Sequence, residues 1–208
     1  MIWDVLISFD AVTLLAFVLA GLLLNVTPGA DFVFISATGI AGGPRQGMAA
    51  AIGVNIGVVV HVALAAAGVS ALLLAYPASY DAIRYVGAAY LLWLAVQAWR
   101  DRGALGQGHA ASGIGRAIRR GFVTNVLNPK TALFIFAFIP QFTDASVGHL
   151  WLQILILGAI FTLNGFLFSL ALGALAGVFA KALRAKVTIL NKITAILFGG
   201  LAARLIID

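Results

Sequence analysis

The stretch NVTPGADF, residues 25–32, interrupts an otherwise apolar run from about Ala11 to Ala41 with an amide, a proline, a glycine and a carboxylate. None of these suits the interior of a hydrophobic helix. Proline lacks the N–H that an interior turn requires, and it pushes the preceding residue out of the α region. The run therefore reads as two half-helices joined at Thr27-Pro28-Gly29, with Thr27 as the N-cap and Pro28 as the first residue of the second half.

The rest of the chain identifies the solvent around that break. Of 208 residues, 62% are hydrophobic and 10% charged, and the mean hydropathy is +1.08. A soluble domain is about 45–50% apolar and about 25% charged, so this chain is built for lipid. Six stretches reach or approach the roughly 20 apolar residues of a spanning helix: residues 11–41, 48–75, 82–99, 121–142, 150–180 and 187–207. The expected fold class is an all-α membrane protein whose six transmembrane helices form two halves, residues 1–100 and 119–208. A glycine-rich polar linker, residues 101–118, joins them.

Charge sets the expected orientation. With the N-terminus outside, the cytoplasmic segments hold Arg45, Arg100, Arg102, Arg116, Arg119, Arg120, Lys181, Arg184, Lys186 and Lys192, ten of the thirteen basic residues. The positive-inside rule then puts both termini outside. The net charge of +6 does not point to nucleic acid, because no aromatic residues are interleaved with the basic clusters as a stacking platform requires. The N-terminus lacks the basic n-region of a signal peptide, so the first hydrophobic segment is expected to be retained. Cysteine is absent, which removes thiolate metal sites and disulfides. No metal set or cofactor motif is found, and Ser36, Ser70 and Ser169 sit in no nucleophile-elbow context, so an enzyme is not expected.

The break has an echo. GLLLNVTPGADFVF at 21–34 is matched by GFVTNVLNPKTALF at 121–134: Gly21, Asn25 and Val26 recur as Gly121, Asn125 and Val126, and Pro28 as Pro129. Three helices per half, an odd number, put the two halves in opposite orientations. That is the layout of inverted-repeat transporters, in which matching broken helices meet at the substrate site. Asn128-Pro129 is a second cap-and-start pair. Both half-helix starts would expose free N–H groups and a partial positive charge at membrane depth, suited to a carboxylate or phosphate.

Beside each break lies a charge, Asp31 and Lys130, each costing roughly 2.5–3.5 kcal/mol at a bilayer centre. One reading is an Asp31–Lys130 ion pair that locks the halves together. The other has Asp31 alternating between a substrate amine and a coupling proton while Lys130 helps hold a carboxylate. The candidate substrate-binding residues are Asn25, Thr27, Pro28, Gly29, Asp31, Asn55, Asn125, Asn128, Pro129, Lys130 and Asn164. Asp31 and His61 are the candidates for proton coupling. Asn55, Asn164 and Gln97 suit interhelical hydrogen bonding equally well, and Gly53/Gly57 and Gly173/Gly177 match a close-packing spacing.

TPGADF at 27–32, GGPRQGMAAAIGVNIGVVVHVALAAAGVSALL at 42–73, GAAYLLWLAVQAWR at 87–100 and RRGFVTNVLNPKTALFIFAFIPQF at 119–142 together resemble the LysE/RhtB-type amino-acid exporters over nearly the whole chain. The resemblance implies a six-helix inner-membrane secondary transporter that exports amino acids or their derivatives by alternating access, driven by proton antiport. The family's usual TPGP is TPGA here, with Ala30 in place of the second proline. The TPGxDF form is similar to the threonine and homoserine exporters, which points to a small neutral substrate. Expected partners are the amino acid, protons and the lipid bilayer, with a homodimer left open. Export of another small solute or cation on the same fold is the alternative, and an intramembrane hydrolase the most remote one.

Overall fold

Chain direction changes where proline withdraws a helical N–H or glycine supplies a conformation other residues avoid. The computed structural model describes residue 5 and residues 8–76, 78–100 and 112–207, and gives the backbone alone for 177–187, 190, 204 and 205. Arg102, most of the expected linker and the side chains of Lys181, Arg184 and Lys186 lie outside the described residues. Among the described residues all regular structure is helical. Helix α1 is Ala11–Val26 and α2 is Ala30–Gly42. Helix α3, Pro44–Leu64, runs on through a π turn at Ala65–Val69 into Ser70–Ala75. Helices α4, Ser79–Arg100, and α5, Ile114–Val126, follow. Helix α6, Pro129–Leu133, is prolonged by a π turn at Phe134–Phe138 and a 3₁₀ turn to Phe142, and α7, Leu150–Ala174, and α8, Ala176–Ile207, complete the fold.

The starts and stops follow from local chemistry. Asp10 caps α1, accepting the Thr13 N–H at 2.9 Å. Between α2 and α3, Gly43 adopts φ 80°, which only glycine takes readily, and Pro44 then begins α3 where a missing N–H costs nothing. The turn before α7 is held by buried Gln153, which accepts the Asp144 N–H at 2.8 Å and donates to the carbonyls of Asp144 and Gly148 at 2.8 and 2.7 Å. There the Ser146 hydroxyl and N–H hold the Asp144 carboxyl below its ordinary range.

Both expected breaks exist, and each bends its helix pair by the same 53°. Several boundaries move. Helix α5 is already formed at Ile114, inside the stretch expected to be linker, because Arg116, Arg119 and Arg120 lengthen the helix beyond its apolar part. The chain also breaks at Leu175 instead of continuing to 180, so α8 starts at Ala176, well before Val187. By length and composition, α3 with its extension and α7 can each cross a membrane, and so can each bent pair taken as one span. Leu15, Val59, Leu163, Leu167 and Ile196 stay exposed, an outward apolar surface suited to lipid.

Close contacts fix the relative directions of four spans. Helices α3 and α5 run parallel: Gln46 meets Gly113, Gly53 meets Ile118, and Gly57 meets Asn125. Helices α3 and α7 run antiparallel, with Gly47 against Gly173 and Val62 against Gly158. Helices α1 and α7 are parallel, Gly21 facing Phe161 and Asn25 facing Gly165. It follows that α1 and α5, which open the two halves, run in opposite directions. The Gln46–Gly113 bond, 3.0 Å, also brings Arg45 and Arg116 to the same end of the molecule.

Gly53 is where α3 and α5 come closest: a Cβ there would lie 2.0 Å from the Ile118 carbonyl oxygen. The expected close packing at Gly53/Gly57 and at Gly173 is therefore present, while the side of Gly177 lies outside the description. Gly53→Ala should destabilise the protein by about 1–3 kcal/mol through forced separation of the helices. Gly68→Ala, whose Cβ would meet nothing within 4 Å, should not. Thermal unfolding of the two variants in detergent, side by side, checks this.

Candidate functional site

At the first break Thr27 looks backward, not forward. Its N–H bonds to the Leu23 carbonyl at 3.0 Å and its hydroxyl to the same oxygen at 2.6 Å, so it terminates α1. With that proton used, the Thr194 hydroxyl of α8 is the donor in the 3.0 Å contact with Thr27 Oγ1. The N-cap of α2 is Gly29, which has no side chain to offer, and Ala30 is the first helical residue. The expected Thr27 cap and Pro28 start are thus corrected. Pro28 lies in the connector, and α2 begins with uncapped N–H groups.

At the second break the expected cap is present. Asn128 Oδ1 accepts the Lys130 N–H at 3.0 Å and Pro129 is the first residue of α6.

The two breaks then exchange side chains. Lys130 Nζ, from the first turn of α6, donates to the Leu24 and Thr27 carbonyls at 2.9 and 2.8 Å. These belong to the last turn of α1, whose carbonyls have no helical partner and carry the negative end of the helix dipole. In return Asp31 Oδ2, from the first turn of α2, accepts Asn125 Nδ2 at 2.8 Å, Asn128 Nδ2 at 2.8 Å and Thr131 Oγ1 at 3.2 Å. No ion pair forms between Asp31 and Lys130: Lys130 Nζ and Asp31 Oδ2 are each bonded to neutral dipoles of the opposite half.

His61 of α3 supports this exchange from behind. Its Nε2 lies 3.2 Å from the Asn125 carbonyl oxygen, which can only accept, so Nε2 carries the proton. No hydrogen bond joins His61 to Asp31. The ring packs edge-on against Phe136.

Two cavities flank the double break. A small one, about 40 Å³, is lined by Asn25, Asp31 and Asn55 together with Ser169 of α7. A larger one, about 600 Å³, is lined by Pro28, Gly29, Ala30, Asn128, Pro129 and Lys130 on one wall. Its other wall is Tyr90, Trp93, Leu94, Gln97 and Arg100 of α4 with Asn191 and Phe198 of α8. Asn164 lines neither. The others fall on or beside the double break, with His61 one residue removed through Asn125.

Thr131 and Ser169 are not among the expected substrate-binding residues. Thr131 was legible as the third member of the series 125, 128, 131, which puts one side chain per turn on one face even across the break. A similar series, 90, 93/94 and 97, marks the cavity face of α4. Ser169 gave no signal beyond being polar in an apolar helix.

Comparison with known proteins bears on this geometry. The family profile described as LysE type translocator matches residues 22–208. A leucine efflux protein of Enterobacter sp. (strain 638) is 33% identical over 204 residues, 95% of this chain and 97% of its own length. A homoserine/homoserine lactone efflux protein of Salmonella typhimurium is 33% identical over 145 residues, 69% of this chain and 70% of its own. A Vibrio cholerae protein described only as an uncharacterized membrane protein is 35% identical over 146 residues, 69% of this chain and 71% of its own. No solved structure matches.

Removing the Lys130 ammonium strips two buried carbonyls of their donor. Lys130→Met should lower stability by about 1–3 kcal/mol, read as a drop in melting temperature. Lys130→Arg, which keeps a donor, should lose less.

Proposed function

The chain belongs to the LysE type translocator family, and we propose that it exports a neutral amino acid with an apolar side chain across the cell inner membrane. One observation carries the reading: both half-helix starts and Lys130 open together onto one cavity of about 600 Å³, large enough for an amino acid. The uncapped N–H groups of α2, with Arg100 on the facing wall, suit a carboxylate. Tyr90, Trp93, Leu94 and Phe198 suit an aliphatic side chain. That wall favours a leucine-like substrate over the small hydroxylated one expected from TPGxDF, and the relative matched over 95% of this chain is a leucine efflux protein.

Transport proceeds by alternating access, with six spans in two inverted three-helix halves and both termini outside. The opposite directions of α1 and α5 and the equal 53° bends support the inverted repeat. So does the contact between Gly29 and Lys130, where a Cβ on Gly29 would lie 3.4 Å from Lys130 Cδ. Counting from Pro28 and Pro129, these are equivalent positions, and equivalent positions touch only near a two-fold axis. Helices α4 and α8 supply the remaining span of each half.

Asp31 carries the coupling proton in an antiport cycle. It is the carboxylate at the double break, and its partners Asn125, Asn128 and Thr131 belong to the opposite half. Any movement of one half against the other therefore changes its surroundings. His61 positions Asn125 for that contact.

Efflux of preloaded amino acids from cells or vesicles, with and without a pH gradient, tests the proposal. Leucine should leave faster than homoserine, an imposed gradient should accelerate it, and Asp31→Asn should abolish it at unchanged protein abundance. Absence of amino-acid efflux across the panel would refute the reading, and wild-type efflux by Asp31→Asn would remove that residue from the mechanism.

A further inference from the structure

The small cavity beside Asp31 is chemically unlike the large one. About 40 Å³ admits a few water-sized bodies at most, so no amino acid fits. Yet it is lined by polar groups whose hydrogen bonding is incomplete. Asp31 Oδ1 is buried with no partner, although Oδ2 of the same carboxylate takes three donors. Asn25 Nδ2 is likewise buried without an acceptor. Asn55 spends its Nδ2 on the Ala51 carbonyl of its own helix at 2.8 Å, which leaves its Oδ1 as the free end. Ser169 Oγ lines the cavity with no hydrogen-bond partner among the described residues.

An ionised carboxylate oxygen that is buried and unpaired is costly, and folded proteins resolve the cost by protonating the group, by pairing it with a charge or by coordinating it to a cation. Lys130 touches the cavity but does not serve. Two of its three ammonium protons are given to the Leu24 and Thr27 carbonyls, and it lies outside ion-pair distance of Asp31. The lining offers the oxygen types a hard cation takes: a carboxylate oxygen of Asp31, the amide oxygen of Asn55, whose Nδ2 is already used, and the Ser169 hydroxyl. A half-turn of the Asn25 amide, whose O and N are assigned only by their neighbours, adds a second amide oxygen where the orphan donor now sits. One carboxylate balances a single positive charge. A divalent ion would want more, and no group of three or more His, Cys, Asp or Glu is present among the described residues.

We propose that the cavity between α1, α2, α3 and α7 binds one dehydrated alkali cation, sodium by size, through Asp31 Oδ1, the Asn25 and Asn55 amide oxygens and Ser169 Oγ. The site goes beyond the amino-acid cavity and does not depend on which amino acid is carried. Sodium and a proton compete for the same carboxylate oxygen, so ion and pH gradients act on one group. Half-helix breaks in transporters commonly place such ions against unwound carbonyls. Here the Leu24 and Thr27 carbonyls are occupied by Lys130, and the unpartnered oxygen is Asp31 Oδ1.

The test is ion binding by the purified, detergent-solubilised protein, read as a melting-temperature shift and as equilibrium binding of radioactive sodium. Ionic strength is held constant with N-methyl-D-glucamine chloride. Sodium should raise the melting temperature saturably and potassium less, with one ion bound per chain. Asp31→Asn should abolish the effect, and Ser169→Ala should weaken affinity about tenfold, the scale of one hydrogen-bond-type contact to a charge. Its melting temperature in N-methyl-D-glucamine should stay at the wild-type value. No difference between sodium and N-methyl-D-glucamine, or a sodium effect that survives Asp31→Asn, would mean that the cavity holds water alone and would overturn the site. Should Asp31→Asn fail to fold, Ser169→Ala decides, undiminished sodium affinity refuting the proposal. Amino-acid efflux plays no part in this readout, so failure of the ion site and failure of the exporter reading are separable.

Discussion

A helix broken inside a membrane leaves carbonyls at one end and N–H groups at the other with no water to satisfy them, and here the carbonyl end of the first break is satisfied by a side chain of the second. Lys130 caps the end of α1 at the Leu24 and Thr27 carbonyls, and Asp31 is held by Asn125, Asn128 and Thr131 around the second break. Neither break is self-sufficient. A lysine in the first turn of α6 has the wrong sign for its own helix dipole and the right sign for the C-terminus of α1, so its placement makes sense only across the interface.

This exchange explains why the charges are not paired with each other. A direct Asp31–Lys130 contact would bury both ions against one another and leave the half-helix carbonyls of α1 bare. Sharing them out among neutral dipoles gives Lys130 Nζ two acceptors and Asp31 Oδ2 three donors. It also leaves Asp31 Oδ1 open to the small cavity.

The breaks were legible in the sequence because proline and glycine act locally, and the echo of Asn25 and Pro28 in Asn125 and Pro129 located the second from the first. The local chemistry of the caps was only half legible. Asn128 and Thr27 both precede a proline, but a threonine hydroxyl can turn back to the carbonyl four residues earlier, and Thr27 does so toward Leu23. Gly29, without a side chain, is left as the start of α2. The start of α5 was obscured for another reason: a hydropathy reading sees only the apolar part of a helix, while Arg116, Arg119 and Arg120 continue the same helix beyond it. The partners of Lys130 could not be read at all, since Leu24 and Thr27 contribute backbone oxygens, which every residue has.

The substitution of Ala30 for the second proline of the family's usual TPGP acquires a meaning from this geometry. Position 30 is the first residue of α2 and lines the large cavity. A proline there would start the helix equally well, since the first N–H of a helix has no internal acceptor. Alanine keeps that N–H. The cost is a looser backbone at the connector, where Pro28 alone restricts φ. The gain is one more donor at a half-helix start that Gly29 leaves without a side-chain cap, beside the large cavity. Conformational stiffness is exchanged for hydrogen-bonding capacity at the one point where both halves and the cavity meet.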